Sequence, residues 1–529
     1  MSRLPRIAAA VLALAVAALA PLAARADAGT DEAATAAYLE AVRGVPDRLE
    51  AFFAALPKGA DLHNHASGAV YAEDYLAWAQ RDGGCYDAAT YALFSTCPAG
   101  KTPIAQGVDR DPNFGKNVVQ ALSMAGFVPQ TPTAGHDHFF ATFGLFGSVA
   151  SAHRGGVVAA ATSDAARQHA SVLELMVSAA RTETEALAER FGSGGNPAFS
   201  ATDFAADARV LEANGFDGAV RAGINEMHDV EAERRAALHC GAPGADAGCA
   251  VEVHYLLQVT RVAPAPYVFV QTRVALAIAS DPASGVVGIN YVAPEDDPRA
   301  VADYALHMRI VRDLHAHYPS ARVTLHAGEL TPRFVSRDAL RDHIRTAVEV
   351  AGASRIGHGV DVLGEDGADA LLREMAARHT LVEIALTSND VILNVRGAAH
   401  PLPAYIAAGV PVALVTDDPG VARSDLSHEF LRAATTYGFR YGTLKQFVRN
   451  SVEYAFLAGA SLWTDPAYAL RALPCRDAVP GDAPPSAACS AYLTANPRAA
   501  AEYRLEADLR TFEAAAAATS RTLQPSNGA

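Results

Sequence analysis

The 529-residue sequence lacks several patterns by which metal clusters, membrane spans and phosphate-binding folds are recognised. Its six cysteines form no Cys-x-x-Cys pair, which argues against a cysteine-ligated metal site. No uninterrupted apolar run after the first twenty residues is long enough to cross a bilayer, so we expect no membrane partner. No glycine-rich phosphate loop follows the first strand-like segment. The formal charge of −15 disfavours polyanions, so we expect no nucleic-acid partner.

The N-terminus has the layout of a secretory signal peptide. Arg3 and Arg6 precede an apolar run from Ile7 to Ala20, and small residues flank Arg25 just before Asp27. Because the apolar run is short for a membrane span, we favour a cleaved signal over an anchor. Cleavage removes three arginines and no acid, which takes the formal charge from −15 to −18. We therefore expect an exported protein, in the periplasm or the medium.

The cysteines fall into three pairs of near neighbours in the sequence. Each pair brackets a loop rich in Gly, Pro or Ala, and an exported chain meets an oxidising compartment. We expect three local disulfides, while free thiols and other pairings stay open as alternatives. The expected pairs are Cys85 with Cys97, Cys240 with Cys249, and Cys475 with Cys489.

Apolar spacing and turn residues divide the chain into four parts. After the signal peptide, residues 1–26, comes an N-terminal helical extension, residues 27–56. Residues 57–460 form the main domain, with a Cys-bearing insertion at about residues 82–111, and residues 461–529 form a C-terminal extension with a helical tail.

Eight strand-like runs alternate with helical stretches inside the main domain. This alternation predicts an α/β fold, a closed (β/α)8 TIM-type barrel, and favours it over an open doubly wound sheet. Active residues of such barrels gather at the carboxyl ends of the strands. The predicted strands are Ala60–His63, Val172–Met176, Tyr267–Ala279, Val286–Val292, Val323–Leu325, Ser354–Gly357, Leu381–Leu386 and Val410–Thr416.

Metal-ligating side chains lie where these runs end. His63 and His65 are two residues apart on a strand, so both rings point to one face. With His326 and Asp417 they offer three nitrogens and an oxygen, which suits one zinc ion and leaves a position for water. A bridged second metal would need a further ligand such as a modified lysine, and Val286–Val292 contains none.

Three further residues are candidates for chemistry at this site. Glu329 follows His326 closely and offers a carboxylate that can move protons without binding the metal. A lone histidine such as His358 is more often a core residue, but next to this ligand set we favour a catalytic role. Asp418 points away from Asp417 on an extended backbone, and either faces the substrate or caps a turn.

Together these motifs resemble the adenosine deaminase family. The similar stretches follow the family's order between Pro57 and Leu457, and their combination is specific although each alone is not. They are Pro57 to His65, His326-Ala327-Gly328-Glu329, His358-Gly359, Thr387-Ser388-Asn389 and Thr416-Asp417-Asp418-Pro419. The signal peptide, the Cys-bearing insertion and His138-Phe139-Phe140 resemble the secreted, growth-factor-related branch of the family.

The resemblance implies a (β/α) barrel that deaminates adenosine, and 2′-deoxyadenosine, to inosine and ammonia with one Zn²⁺. It implies four metal ligands, which are His63, His65, His326 and Asp417. It also implies that Glu329 is the proton shuttle, that His358 is the hydroxide partner and that Asp418 contacts the purine. Asn389 is a further expected substrate contact. Two positions depart from the family pattern: Ser67 stands where an Asp contacts ribose, and Ala293 where a Gly lies near the purine.

Two other functions remain open. The same barrel can act on another aminopurine nucleoside, or the chain can be an extracellular signalling or binding protein with a degenerate site. The expected partner is a small purine nucleoside, and the oligomeric state stays open, a homodimer included. Among Lys58, Arg333 and Arg355, the basic residues near the motifs, only Arg333 is expected to face the catalytic end. An uncharged nucleoside is therefore favoured over AMP.

Overall fold

Residues 29–523 are described by the computed structural model, and the predicted signal peptide lies outside them. The described chain forms two compact units, residues 60–432 and a second unit that joins residues 29–59 with residues 433–523. Residues 433–460, which the sequence assigned to the main domain, belong to the second unit. Between residues 29 and 523 no helix is both long and apolar enough to cross a membrane.

Eight parallel strands form one sheet in chain order. Its two edges meet where residues 64 and 417 make a parallel bridge. There the amide of His65 donates to the carbonyl of Asp417, and the amide of Asp417 donates to the carbonyl of His63, each at 2.8 Å. These bonds close the sheet, which confirms the TIM-type barrel. The strands are β1 (Gly59–His65), β2 (Ala170–Val177), β3 (Glu252–Thr260), β4 (Val286–Val292), β5 (Arg322–Ala327), β6 (Arg355–His358), β7 (Leu381–Ile384) and β8 (Val412–Leu414).

Helices surround the barrel and bury its apolar outer face. Those of the barrel unit are Ala66–Ala69, Ala72–Arg81, Ile104–Arg110, Phe114–Leu122, Ala134–Ala152, Arg154–Arg167, Arg181–Ala188, Phe204–Ala213, Phe216–Ala237, Ala265–Ala279, Pro298–His315, His343–Glu349, Ala368–Arg378, Leu386–Leu393, Leu402–Ala407, Pro419–Ala422 and Leu426–Tyr437, the last of which runs on into the second unit. Short 3₁₀ turns lie at Ala247–Ala250, Arg337–Leu340, Val362–Gly364 and Gly397–Ala399.

One of the eight predicted strands is wrong. The segment Tyr267–Ala279 belongs to the helix Ala265–Ala279, and the third strand is Glu252–Thr260. The helix is buried around nearly its whole circumference, so its sequence lacks an amphipathic period and resembles a buried strand. Prolines at its start are typical of a helix N-terminus. The polar residues Glu252, His254 and Gln258 interrupt the apolar pattern of β3, which hid that strand.

All three predicted disulfides are present. Cys85–Cys97 lies in the predicted insertion, where a small antiparallel sheet has the strand order Leu93–Phe94, Cys85–Tyr86, Thr102–Pro103. Cys240–Cys249 closes the loop before β3. Cys475–Cys489 is buried in the second unit, in a core with Leu462 and Ala499.

The second unit joins both ends of the described chain. Lys445 Nζ donates to Glu32 Oε2 at 2.7 Å and to Glu513 Oε1 at 2.6 Å, so one ammonium ties the first helical segment to the last helix. Lys58 is buried and donates to the carbonyls of residues 53 and 56, where the helix Pro46–Ala55 ends. Both predicted terminal helical segments are confirmed. The helical elements are residues 29–42, Pro46–Ala55, Tyr441–Glu453, Leu473–Cys475, Ala487–Ala495 and Pro497–Leu523.

His307 makes the barrel unit sensitive to acid. It lies on the helix Pro298–His315, is 1% exposed, and neither ring nitrogen has a hydrogen-bond partner. Burial, with the charge of Arg261, lowers the pKa of His307 to about 4. An unfolded histidine has a pKa of about 6.5, so below that pH the unfolded chain binds a proton that the folded chain does not. Folding is therefore penalised as the pH falls from about 6.5 to about 4.

We predict that His307→Leu reduces the acid sensitivity of folding. Between pH 7 and pH 5 the wild-type protein should lose about 2 kcal/mol of unfolding free energy through this residue, and the variant should not. Urea unfolding at both pH values measures the difference, and titrations shared by the two proteins cancel. Equal losses in both proteins would show that His307 is not the sensor.

Candidate active site

The four predicted metal ligands meet at the carboxyl end of the barrel. His63 and His65 come from β1, His326 from β5, and Asp417 follows β8. The Nε2 atom of His326 lies 3.1 Å from Nε2 of His63 and 3.2 Å from Nε2 of His65. Oδ1 of Asp417 lies 3.4 and 3.3 Å from the same two nitrogens. All four residues are at most 8% exposed, so residues far apart in sequence form one buried cluster.

Each ligand histidine is held at Nδ1 by an oxygen. His63 Nδ1 lies 2.6 Å from a Glu383 carboxylate oxygen, and His65 Nδ1 lies 3.0 Å from the amide oxygen of Gln258. His326 Nδ1 lies 2.9 Å from the amide oxygen of Asn290. Because these oxygens only accept, each Nδ1 carries the proton and each Nε2 directs a lone pair to the cluster.

This arrangement fits a metal ion. Lone pairs about 3 Å apart repel one another unless a cation or a proton lies among them. Burial disfavours the charged form of His63, but the carboxylates of Asp417 and Glu383 outweigh it and raise the pKa of His63 to about 10. A proton can therefore occupy the cluster in the metal-free protein, and metal binding would release it. Three imidazole nitrogens and one carboxylate are a donor set that suits zinc.

A buried ion network supports His63 from below. Arg355, at the start of β6, pairs with Glu174 at 2.5 Å and with Glu383 at 2.7 Å inside the barrel. Burial raises the pKa of Glu383, but Arg355 and His63 outweigh it and hold that pKa below its ordinary value. Arg355 thus keeps the acceptor of His63 ionised rather than facing a substrate, in line with the expected orientation. A side chain at Gly357 would come within 2.6 Å of the His63 ring, so the close approach requires glycine there.

Glu329 is held in place through the backbone of its loop. One carboxylate oxygen of Glu295 accepts from the amide of Glu329 at 2.9 Å, and the other accepts from the amide of Gly328 at 3.1 Å and from His343 Nδ1 at 2.7 Å. The Arg261 guanidinium lies 3.7 Å from Glu295 and donates to the carbonyl of His326 at 3.0 Å. The buried pair of Arg261 and Glu295 therefore holds both the end of β5, which carries His326, and the loop that carries Glu329.

Three predicted catalytic or substrate-contacting residues have buried polar atoms without a hydrogen-bond partner. Among the described side chains, Oε1 of Glu329, Nε2 of His358 and Oδ1 of Asp418 are buried without a hydrogen-bond partner. Burial raises the pKa of Glu329 and of Asp418 well above their ordinary values, and the charge of Asp417 adds to both shifts. Buried polar groups usually find partners, so these three atoms mark where a ligand would be bound.

Ser67 and Asn389, two further predicted substrate contacts, have different surroundings from those of Asp418. Ser67 lies in the helix Ala66–Ala69 directly after His65 and is half-buried. Asn389 is fully buried, with its amide nitrogen 2.9 Å from Nδ1 of His358 and its amide oxygen 3.0 Å from Nε2 of His400. Both polar ends of the Asn389 amide are engaged by histidines, so Asn389 contacts His358 and His400, and its role as a substrate contact stays a prediction.

A pocket of about 610 Å³ opens at the carboxyl ends of β2 and β3. Its wall includes Ser178, which accepts a hydrogen bond from Gln258 at 3.4 Å, and Gln258 in turn holds His65. Arg181 lines the pocket together with the carboxylates of Glu185 and Glu189. The pocket has room for a small polar molecule and carries more negative than positive charge.

Three site residues other than glycine have left-handed backbone. The φ angles of Ala293, His358 and Asp417 are 79°, 67° and 66°. Such angles cost a residue with a Cβ about 1–2 kcal/mol, and they are common where the fold must aim a side chain at a functional site. Ala293, the position where the resembling family has Gly, thus keeps a conformation that glycine adopts without strain.

Sequence reasoning missed the residues that support the ligands. All eight are polar or charged residues outside the motifs, all but Gln258 are buried, and four of them interrupt a strand. They are Glu174, Gln258, Arg261, Asn290, Glu295, His343, Glu383 and His400.

Comparison with known proteins gives a consistent result. The model of the family described as adenosine deaminase matches residues 221–461, which include Glu329 and Asp417 but not His63. The adenosine deaminase of Shewanella denitrificans is 35% identical over 154 residues, 29% of this chain and 41% of that protein. The adenine deaminase of Sinorhizobium fredii is 36% identical over 174 residues, 32% of this chain and 48% of that protein. The chain thus spans less than half the length of these relatives.

Solved structures are similar at lower identity. The N6-methyl-AMP deaminase from Arabidopsis thaliana is 19% identical, with 77% of this chain and 94% of that chain covered and a TM-score of 0.49. A zinc-bound amidohydrolase from Burkholderia ambifaria is 18% identical, with 78% and 88% covered and a TM-score of 0.46.

We predict that Ala293→Gly stabilises the protein. Glycine relieves about 1–2 kcal/mol of backbone strain at φ 79°. Because glycine also makes the unfolded chain more flexible, the free energy of unfolding should rise by only roughly 0.5–1 kcal/mol. The matched control is Ala302→Gly, an exposed position on the helix Pro298–His315, which should lose about 0.5–1 kcal/mol. Urea unfolding reports both values, and a loss in both variants would contradict the strain at Ala293.

Proposed function

We propose that this chain, of which residues 221–461 match the model of the adenosine deaminase family, hydrolyses adenosine, and 2′-deoxyadenosine, to inosine and ammonia with one zinc ion. The observation that carries the proposal is the buried convergence of His63, His65, His326 and Asp417 with the unpartnered atoms of Glu329, His358 and Asp418. A degenerate binding protein would have no need to keep both sets intact, so the alternative of a signalling protein is disfavoured.

The chemistry follows from what each residue can do. His63, His65, His326 and Asp417 would hold the zinc ion, which lowers the pKa of a water molecule so that it is a nucleophile near neutral pH. The oxygen of this water adds to the purine carbon that carries the amino group. Glu329 gives a proton to the neighbouring ring nitrogen, takes one proton from the water, and passes it to the amino group, which leaves as ammonia. The second proton of the water returns to Glu329 as the carbonyl forms, so Glu329 is neutral again at the end of the cycle.

The environments of these residues suit those roles. The raised pKa of Glu329 supplies a neutral acid at the start of the cycle. A neutral carboxyl at Asp418, whose pKa is also raised, can donate a hydrogen bond to a purine nitrogen. Gly68 allows the approach of Asp418, because a side chain there would overlap its carboxyl oxygen. His358 would orient the attacking water.

Adenine is the second candidate substrate. Its support is that the relatives include an adenine deaminase at 36% identity beside the adenosine deaminases. We favour the nucleoside because the 610 Å³ pocket next to Gln258 and Ser178 offers room for a sugar. Ammonia release from adenosine and from adenine, with and without a chelator and with zinc restored, separates the two and tests the metal.

We also propose that the protein works outside the cytoplasm. The N-terminal signal layout and three disulfides support export, since disulfides persist in oxidising compartments. Fractionation of cells, with disulfide mapping of the recovered protein, distinguishes the periplasm from the medium.

We predict that Glu329→Gln keeps the metal and loses turnover. The amide preserves the shape but cannot shuttle protons, and general acid–base groups contribute about 10²–10⁴-fold. Ammonia assays and elemental analysis measure the two properties on one preparation. Glu374→Gln, on the outer helix Ala368–Arg378, is the control and should behave as wild type. Near-normal turnover by metal-loaded Glu329→Gln would remove Glu329 from the mechanism.

We predict that AMP reacts far more slowly than adenosine. Arg333 donates to the carbonyls of Pro132 and Leu393, at 3.3 and 3.5 Å, so a phosphate would compete with existing bonds. In the pocket, Arg181 is outnumbered by Glu185 and Glu189. Values of kcat/KM for both substrates, with wild type and Arg333→Ala, provide the measurement. A kcat/KM for AMP at or above that for adenosine would overturn the substrate class, and its loss in Arg333→Ala would identify the phosphate contact.

A further inference from the structure

His358 differs from the ligand histidines in what lies at its Nδ1 atom. The three ligand rings each meet an oxygen there, so the lone pair of each Nε2 atom is directed to the cluster. Nδ1 of His358 instead meets the amide nitrogen of Asn389, a donor, at 2.9 Å, while the nearest Glu329 oxygen lies 3.7 Å away, beyond hydrogen-bond distance. A neutral ring that accepts at Nδ1 carries its proton at Nε2, so His358 has the opposite tautomer.

The direction of this bond is fixed from outside the site. The backbone amide of Leu402 donates to Nδ1 of His400 at 3.1 Å, and a backbone N–H is a donor by its covalent structure. His400 therefore carries its proton at Nε2 and donates it to the amide oxygen of Asn389 at 3.0 Å. The reversed amide would set two N–H groups against each other, so the nitrogen of Asn389 must face His358.

The surroundings keep His400 neutral, as this chain of bonds requires. His400 is 2% exposed, and burial together with the charge of Arg432 lowers the pKa of His400 to about 4. Asn389 is fully buried, so water does not compete for its amide. Four groups, from the Leu402 amide to the His358 ring, are thus aligned in one direction.

We propose that Asn389 and His400 are positioning residues that fix His358 as the Nε2–H tautomer, so that His358 serves the site as a hydrogen-bond donor and not as a metal ligand. One nitrogen of His358 lies within 4.8 Å of ligand atoms of His63, His326 and Asp417, so proximity alone would admit it to the metal shell. The proton at Nε2 and the amide at Nδ1 leave it no lone pair for a metal. Its Nε2 atom has no hydrogen-bond partner among the described residues, so the Nε2–H group is available to hold the attacking water.

The inference rests on the proposed function for its kinetic consequence and can be tested apart from it. Asn389→Asp is nearly isosteric, but a carboxylate only accepts, so it should draw the His358 proton to Nδ1 and leave Nε2 bare. His400→Leu removes the donor that orients Asn389, whereas His400→Gln places an amide N–H near the original Nε2. Ring-nitrogen NMR of ¹⁵N-histidine-labelled protein reports the tautomer, with His358 identified by its loss in His358→Gln.

The expected result is a protonated Nε2 of His358 in wild type and a protonated Nδ1 in Asn389→Asp, both in metal-free protein. In the metal-loaded form Asn389→Asp should lower kcat by about 100-fold, the usual cost of one lost donor, with KM and zinc content little changed. His400→Leu should lower kcat as well, and His400→Gln should recover most of that loss. If Asn389→Asp does not fold, the His400 pair carries the test.

Two results would overturn the inference. One is a wild-type His358 with its proton at Nδ1; the other is Asn389→Asp with wild-type tautomer and kcat. If the wild-type protein deaminates no purine, the proposed function fails, while the NMR comparison still decides the tautomer.

Discussion

The buried guanidinium of Arg355 is the constraint on which the site depends. It lies inside the barrel between the carboxylates of Glu174 and Glu383, and all three side chains are almost fully buried. Removing one partner from such a network leaves an uncompensated buried charge and typically costs about 3–5 kcal/mol. The network keeps Glu383 ionised, Glu383 fixes His63, and His63 is the first ligand along the chain. A charge in the barrel core thus fixes which nitrogen of the buried His63 ring is directed to the cluster of candidate metal ligands.

The histidines of the site differ in which ring nitrogen carries the proton. Oxygen acceptors at Nδ1 turn three rings into ligands, and an amide donor at Nδ1 turns His358 into a donor. Identical side chains therefore have different chemistry because of what lies behind them, not because of their distance from the cluster. Left-handed backbone at His358 and Asp417 adds strain that the closed barrel supports.

The fold class and the residues with chemical function were accessible from sequence because both leave short, local patterns. Seven of the eight strands were placed within a few residues, and the motif histidines and acids lie at strand ends as barrel geometry requires. The helix Ala265–Ala279 was mistaken for a strand because complete burial removes the amphipathic period. The disulfides were predictable because each closes a short loop.

The supporting residues were not predictable, because hydrogen bonding between distant strands leaves no fixed spacing. Asn290 and Glu383 could have been suspected as polar residues inside apolar runs, but their partners are 36 and 320 residues away in sequence. Asn389 shows that a motif does not reveal what its residues contact. Its presence in the motif predicted a substrate contact, and in the structure its amide contacts two histidines.

The bridge between residues 64 and 417 has a consequence for how the protein acquires its metal. Ligands from the first strand and from the end of the last strand are joined by the bonds that close the sheet, so the site does not exist in any shorter, earlier-made part of the chain. Binding of a metal by all four side chains would have to follow closure of the barrel, since a preformed site is absent from the unfolded chain. Ligand sets of this kind bind several divalent metals, and availability helps to select among them. A metal bound by these four side chains would therefore be selected in part by the compartment in which the chain completes folding.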